Sequence, residues 1–224
     1  MPAALSVIIP TLNAAASLPA CLQALRSPLV AEVLVADGGS TDGTAEAARA
    51  GGARVLGPLP PSRGGQVRTG CAAAAGGWLL ILHADTRLSP NWADAVDGHM
   101  ERRSEKAGWF RFALDDPRPL ARVWEAGVAV RSRMGLPYGD QGLLISRALY
   151  DAVGGCRDLP LMEDLDLVRR LGPNRLRPLR ATALTSAARY RREGYARRSL
   201  RNAVLVARWL AGADPADLAR EYGR

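Results

Sequence analysis

Val35-Ala36-Asp37-Gly38-Gly39-Ser40-Thr41-Asp42-Gly43-Thr44 changes character at Asp37. Up to Ala36 the chain reads Glu32-Val33-Leu34-Val35-Ala36, an apolar run of strand length. From Asp37 onward come turn and capping residues, and an Ala-rich helix is expected over 44–50. The same succession of strand, polar turn and helix recurs on both sides. Upstream, residues 5–9 form a buried strand expected to end at Pro10, and Ser17 is placed to cap a helix bearing Leu18, Cys21, Leu22 and Leu25. Downstream, 54–56 is a third strand. Pro58 to Pro61 make a loop, and Ser62-Arg63-Gly64-Gly65-Gln66 opens a small-residue helix running to 75. A fourth strand over 78–82 ends at His83-Ala84-Asp85.

Apolar strands alternating with helices predict an α/β fold, with a mostly parallel central sheet and helices on both faces. Ligands of such sheets bind beyond the carboxyl ends of the strands. The polar clusters 10–13, 37–42 and 83–85 each follow a strand, so they are expected to converge. Further on, the pattern predicts a helix to about 103, a strand over 108–114 and a helix over 118–133. Tyr138-Gly139-Asp140-Gln141-Gly142 then leads into a strand over 143–145, and Leu161-Met162-Glu163-Asp164 opens another helix. A long basic amphipathic helix is expected over 190–211, with a short one after Pro215. No repeat or linker divides the chain, so 1–224 reads as one domain. It comprises a first half (about 1–88), a second half (about 89–188) and a helical basic region (about 189–224); the resemblance drawn below implies that the first binds the nucleotide and the second the acceptor.

The 224 residues are 48% hydrophobic and 23% charged, which excludes disordered and low-complexity classes. No apolar run approaches the ~20 residues of a membrane span. The N-terminus lacks a charged leader and runs straight into a strand, so the mature chain is expected to start at Met1 and to be cytoplasmic. Three widely spaced cysteines, Cys21, Cys71 and Cys156, read as small buried hydrophobes. The net charge of +8 is uneven: residues 169–224 hold 14 Arg and four acids, leaving −2 for the rest. Such clustering suits an anionic partner.

Several nucleotide and hydrolase signatures are absent. No lysine sits in a glycine turn as a phosphate-binding loop needs, Pro10-Thr11-Leu12-Asn13 stands where a dinucleotide fingerprint would, and no G-x-S-x-G occurs. What remains is a set of acids in different settings. Asp37 can accept from a base or ribose, with Gly38 and Gly39 admitting a flat ligand, or it can serve only as turn and cap. Asp85 suits a hard cation such as Mg²⁺ or Mn²⁺, or else caps the next segment. The pair Glu163 and Asp164 offers a general base, or merely favours a helix N-terminus. Arg63 can fork a phosphate, and Gln66 can read an amide.

Together these motifs resemble a family-2 glycosyltransferase of GT-A fold. Residues 7–13 resemble the opening strand and turn, and 35–44 the nucleotide-binding segment. Leu82-His83-Ala84-Asp85 is similar to the D-x-D metal motif, and Met162-Glu163-Asp164-Leu165-Asp166 to the motif carrying the base. His83-Ala84-Asp85-Thr86, Tyr138-Gly139-Asp140-Gln141-Gly142 and Leu161-Met162-Glu163-Asp164 look like one small bacterial branch. The chain departs at Ala14, where many relatives carry an acid, and at His83, which replaces the first Asp of D-x-D.

The resemblance implies inverting transfer of a sugar from a nucleotide diphosphate to an acceptor hydroxyl, assisted by Mg²⁺ or Mn²⁺. It implies that Pro10, Thr11, Asn13, Asp37, Gly38, Gly39, Arg63, Gln66, Ala84 and Asp85 hold the donor, and that Asp85 holds the metal. Asp164 is then the base with Glu163 beside it, and Asp140 and Gln141 position the acceptor. The alternatives are a sugar-phosphate nucleotidyltransferase and a non-enzymatic nucleic-acid-binding protein; the resemblance implies no nucleic-acid partner. For the basic C-terminal region three readings stand: a solvated surface, a flap in which Tyr190, Arg191 and Arg192 cover the diphosphate, or a helix lying on an anionic membrane or in a homodimer. The membrane reading places the protein peripherally at the inner face.

Overall fold

The computed structural model describes residues 4–222, so the expectation that the mature chain starts at Met1 lies outside the described residues. The elements are β1 (Leu5–Thr11), α1 (Leu18–Ala24), β2 (Val30–Asp37), α2 (Thr44–Ala50), β3 (Arg54–Leu56), α3 (Arg63–Ala73), β4 (Trp78–Ile81), β5 (Thr86–Leu88) and α4 (Trp92–Arg102). There follow β6 (Ala107–Leu114), α5 (Pro119–Arg133), β7 (Leu143–Ser146), α6 (Arg147–Ala152), α7 (Glu163–Leu171), β8 (Leu176–Thr185), α8 (Ala188–Glu193), α9 (Tyr195–Leu210) and α10 (Pro215–Tyr222).

The strands form one sheet in the order β3-β2-β1-β4-β7-β6-β8-β5. Pairings among β1 to β4 are all parallel, as is β6 with β8, while β7 runs antiparallel to β4 and β6. Alternation along β1 sends its side chains to two cores. Val7 and Ile9 pack with Leu18, Leu22, Trp92 and Val96 on one face, and Ile8 packs with Val67, Cys71, Leu149 and Leu167 on the other. This is the expected α/β arrangement, mostly parallel and covered on both faces.

Three local expectations need correction. β1 continues through Pro10 to Thr11, because β4 pairs with it only as far as Ile8–Ile81 and the missing N–H meets no ladder there. Ser17 stands at the start of α1 but its hydroxyl donates to Ala14 O, so it does not cap the helix N–H groups. The helix expected over 190–211 is two helices, broken at Gly194, whose φ of 85° and ψ of 136° no helix accommodates. Finally, β8 and the short strands and helices around it were not anticipated.

This topology brings three kinds of loop to one end of the sheet. The carboxyl ends of β1 and β2 are in register at Thr11 and Asp37. Antiparallel β7 starts at Leu143 opposite Ile81, so the residues before it arrive beside the end of β4. β5 pairs Thr86 with Thr185, and Ser186 N–H donates to Asp85 O (3.1 Å), which ties Asp85 to the end of β8.

Candidate active site

The two loops after β1 and β2 are laced together. Asn13 N–H donates to Ser40 Oγ (2.8 Å), Thr41 N–H to Asn13 Oδ1 (2.9 Å), Ala14 N–H to Thr44 Oγ1 (2.8 Å) and Ala15 N–H to Asp42 (3.0 Å). Asp37 is the centre of this lacing. One oxygen accepts from the Thr11 and Ser40 hydroxyls, the other from the Gly39 and Ser40 N–H groups. Burial pushes its carboxyl up, but these hydrogen bonds outweigh that and hold it below the usual range. Four donors match the four acceptor positions of a carboxylate.

Gln66 is buried, and its amide donates to both Thr11 O and Ala36 O at 2.7 Å. It pins β1 to β2, so its amide N–H groups are not free to read a base. Gly38 is explained by the same contact, since a Cβ there would lie 3.1 Å from Gln66 Nε2. Ala84 is likewise a core residue, packed with Leu82 and Leu88.

A pocket opens at this end of the sheet, lined among others by Pro10, Arg63, His83, Tyr138, Glu163 and Asp164. Asp37 and Asp85 lie outside its lining. Its floor is apolar, with Val67, Ile81, Leu143, Leu167 and Val168. Asp164, in the first turn of α7, accepts one N–H on each oxygen: Gly139 at 2.6 Å and Leu165 at 2.7 Å. Met162, just before it, has φ 67°; with Asn13 it is one of two non-glycine residues at positive φ among the described residues, and both border the site.

Glu163 is buried against Arg63, with Nε 3.0 Å from Oε1, while Oε2 has no partner among the described residues. Burial pushes the Glu163 carboxyl up to about 7, against the pull of Arg63 and with the push of Asp164. A free glutamate side chain titrates near 4.5. The folded protein therefore holds this proton more tightly than the unfolded chain. The resulting stability is fully present below pH 4.5 and is lost as pH rises through about 7. Glu163→Gln should flatten that slope. Urea unfolding across this window checks it, and parallel profiles for the two proteins would rule it out.

His83, Asp85 and Asp140 form a second cluster, with one ligand atom from each within 4.8 Å of the others. His83 Nδ1 lies 2.8 Å from Asp140 Oδ1. Burial disfavours the imidazolium, but Asp140 more than compensates and raises its pKa. Asp140 is held low by His83 despite burial, whereas burial and the Asp140 charge push Asp85 up. The nitrogen and two carboxylates suit a divalent cation of the Mn²⁺ kind.

Asp140 thus stands beside His83 and Asp85. The expectation for Gln141 needs correction. It is buried in the wall, donating to Phe110 O (3.1 Å) and accepting from Ser132 Oγ (2.9 Å), out of reach of an acceptor. Tyr138, with the Arg131 guanidinium 3.5 Å over its ring, is a pocket wall that sequence reasoning missed. All three cysteines are free and buried, as read. In the C-terminal region Arg198 is buried and pairs with Glu193 at 3.2 Å, so this part of the region is packed, not merely solvated.

The fold has known counterparts. A glucosyl-3-phosphoglycerate synthase from Mycobacterium tuberculosis, solved with Mn²⁺ and uridine-diphosphate-glucose, superposes with a TM-score of 0.58 at 22% identity, covering 82% of this chain and 70% of that one. S. aureus TarS superposes with a TM-score of 0.65 at 17% identity, covering 96% of this chain and 41% of that one. Among curated proteins, a PGL/p-HBAD biosynthesis glycosyltransferase of Mycobacterium bovis is 40% identical over 91 residues. That match spans 37% of this chain and 36% of the relative's own length. The family profile described as Glycosyl transferase family 2 matches residues 6–156, which hold the β1 and β2 loops, His83, Asp85 and Asp140. The chain belongs to glycosyltransferase family 2.

Proposed function

We propose that the protein transfers one sugar from a nucleotide-diphosphate donor to an acceptor hydroxyl with inversion, using Asp164 as the base. The observation that carries this reading is the placing of Asp164. Its carboxylate borders the pocket, is held by one backbone N–H on each oxygen, and keeps lone pairs free to take a proton. Direct attack by the deprotonated hydroxyl on the anomeric carbon inverts it. Family membership favours sugar transfer over nucleotidyl transfer to a sugar phosphate.

The donor half, about 1–88, offers the laced β1 and β2 loops to the nucleoside. Thr11, Asn13, Gly39 and Asp37 stand there, and a nucleoside that reaches Asp37 displaces the Ser40 or Thr11 hydroxyl. Pro10 and Arg63 border the sugar and diphosphate. Glu163 anchors Arg63, and its unpartnered Oε2 is free to accept a sugar hydroxyl. His83, Asp85 and Asp140 would hold Mn²⁺ or Mg²⁺. The cation supplies charge to the departing diphosphate. The relatives solved with Mn²⁺ and a uridine nucleotide support this choice of cofactor class. The acceptor half, about 89–188, supplies Tyr138 and Asp164.

Thermal denaturation with Mn²⁺ and a panel of UDP-, GDP- and TDP-sugars tests the donor class. A true donor at about 100 Kd should stabilise the protein by about 2.7 kcal/mol. A flat response to the whole panel would overturn the reading.

A further inference from the structure

We infer that α5 and α9 form a surface that docks the protein on an anionic membrane. No helix among the described residues is long and apolar enough to cross a bilayer, so the contact lies in the interface.

Two independent distributions coincide on these helices. Of the eight large hydrophobic side chains exposed among the described residues, seven sit on α5, on its capping residue Met134, or on α9; the eighth is Leu12. Val123 is 64% exposed, Met134 74% and Leu200 68%. On α5 the exposed positions Val123, Gly127, Val130 and Met134 recur at helical spacing, and on α9 Leu200, Val204 and Ala207 do the same. Neither stripe carries an acid.

The second distribution is charge. α5 and α9 hold seven Arg and one Glu, a net +6 of the chain's +8. The rest of the molecule carries only +2. Arg133 and Arg197 stand exposed beside the apolar stripes. The two helices touch where Trp124 stacks on Tyr195, with ring centroids 6.4 Å apart.

An apolar stripe fringed by Arg is what an interfacial helix presents to acyl chains and anionic headgroups. A second copy is a poorer occupant, because face-to-face docking opposes one Arg fringe with another. Charge complementarity thus selects a bilayer. The connection from Met134 to Tyr138 links this face to the pocket wall.

The test is flotation of the full chain with phosphatidylcholine vesicles, with and without phosphatidylglycerol. Binding should need the anionic lipid and weaken with salt. Arg133→Gln and Arg197→Gln should each lower partition about fivefold. Val123→Asp with Leu200→Asp should abolish it while leaving thermal stability and nucleotide binding unchanged, since both positions are exposed. Equal binding to neutral and anionic vesicles, or full binding by the double variant, overturns the proposal. So does a wild-type dimer that the double variant turns into monomer, which would assign the face to a second copy. Nucleotide binding reports separately on the sugar-transfer reading, so the two can fail independently.

Discussion

Asp164→Asn should lower kcat about a thousandfold while leaving nucleotide affinity near that of the wild type. The size follows from the role, since a positioned general base contributes about 10²–10⁴. The selectivity follows from the geometry. Asparagine has the same shape but one acceptor oxygen fewer, so it can serve Gly139 N–H or Leu165 N–H but not both. Losing one such bond costs about 1 kcal/mol, too little to unfold α7 or to undo the separate hydrogen bonds that lace the β1 and β2 loops.

The rival base is Glu163, whose carboxyl is pushed up to about 7, close to the value a base needs at neutral pH. Its environment argues for another part. It is buried and spends Oε1 on Arg63, so ionisation serves the ion pair before any substrate. Glu163→Gln should accordingly raise KM for the donor more than it lowers kcat. Steady-state kinetics of both variants, with calorimetry of nucleotide binding, decide between them. Full activity in Asp164→Asn, with collapse in Glu163→Gln, would transfer the role to Glu163.

The strands β1 to β4 were legible because their signals are local. Apolar runs followed by Asp, Gly, Ser and Pro gave β1 to β4 with small errors at their ends. β8 was not legible. Its buried positions are Leu176, Leu179, Ala181, Ala183 and Thr185, and the alternation slips at Pro178, where the pairing with β6 shifts register between Trp109 and Arg111. A period-2 pattern interrupted by a bulge, with a Pro inside it and Ala at two of its buried positions, gives little strand signature.

The site divides in the same way. Asp85 and Asp164 could be singled out from strand-end and helix-start positions. Asp140 could not be put beside Asp85, because its place depends on β7 returning antiparallel to β4. Gln66 looked like a ligand-reading side chain because nothing local reveals that two backbone carbonyls lie 2.7 Å from its nitrogen.

Asp85→Ala should lower Mn²⁺-dependent affinity for a nucleoside diphosphate about a hundredfold and leave metal-free binding unchanged. His83 Nδ1 and Asp140 Oδ1 stand 2.8 Å apart. Both atoms can face one cation, which would take the place of the proton that now joins them. Asp85 is the remaining member of the group. Without it, His83 and Asp140 keep each other as partners and have less reason to release that proton to a metal. Loss of a residue that only orients a ligand already costs about 10–100-fold in metal affinity, so loss of a ligand belongs at the upper end or beyond.

The imidazole also sets a preference. A nitrogen donor beside two carboxylates favours Mn²⁺ over Mg²⁺, whereas an all-oxygen set suits Mg²⁺. His83→Asp should narrow the gap between the two ions, and calorimetric titration of each into the protein with nucleoside diphosphate reads this without any turnover. Equal Mn²⁺ and Mg²⁺ affinities in the wild type, unchanged by His83→Asp, would show that His83 stays outside the coordination sphere and that the diphosphate carries the ion with Asp85 alone.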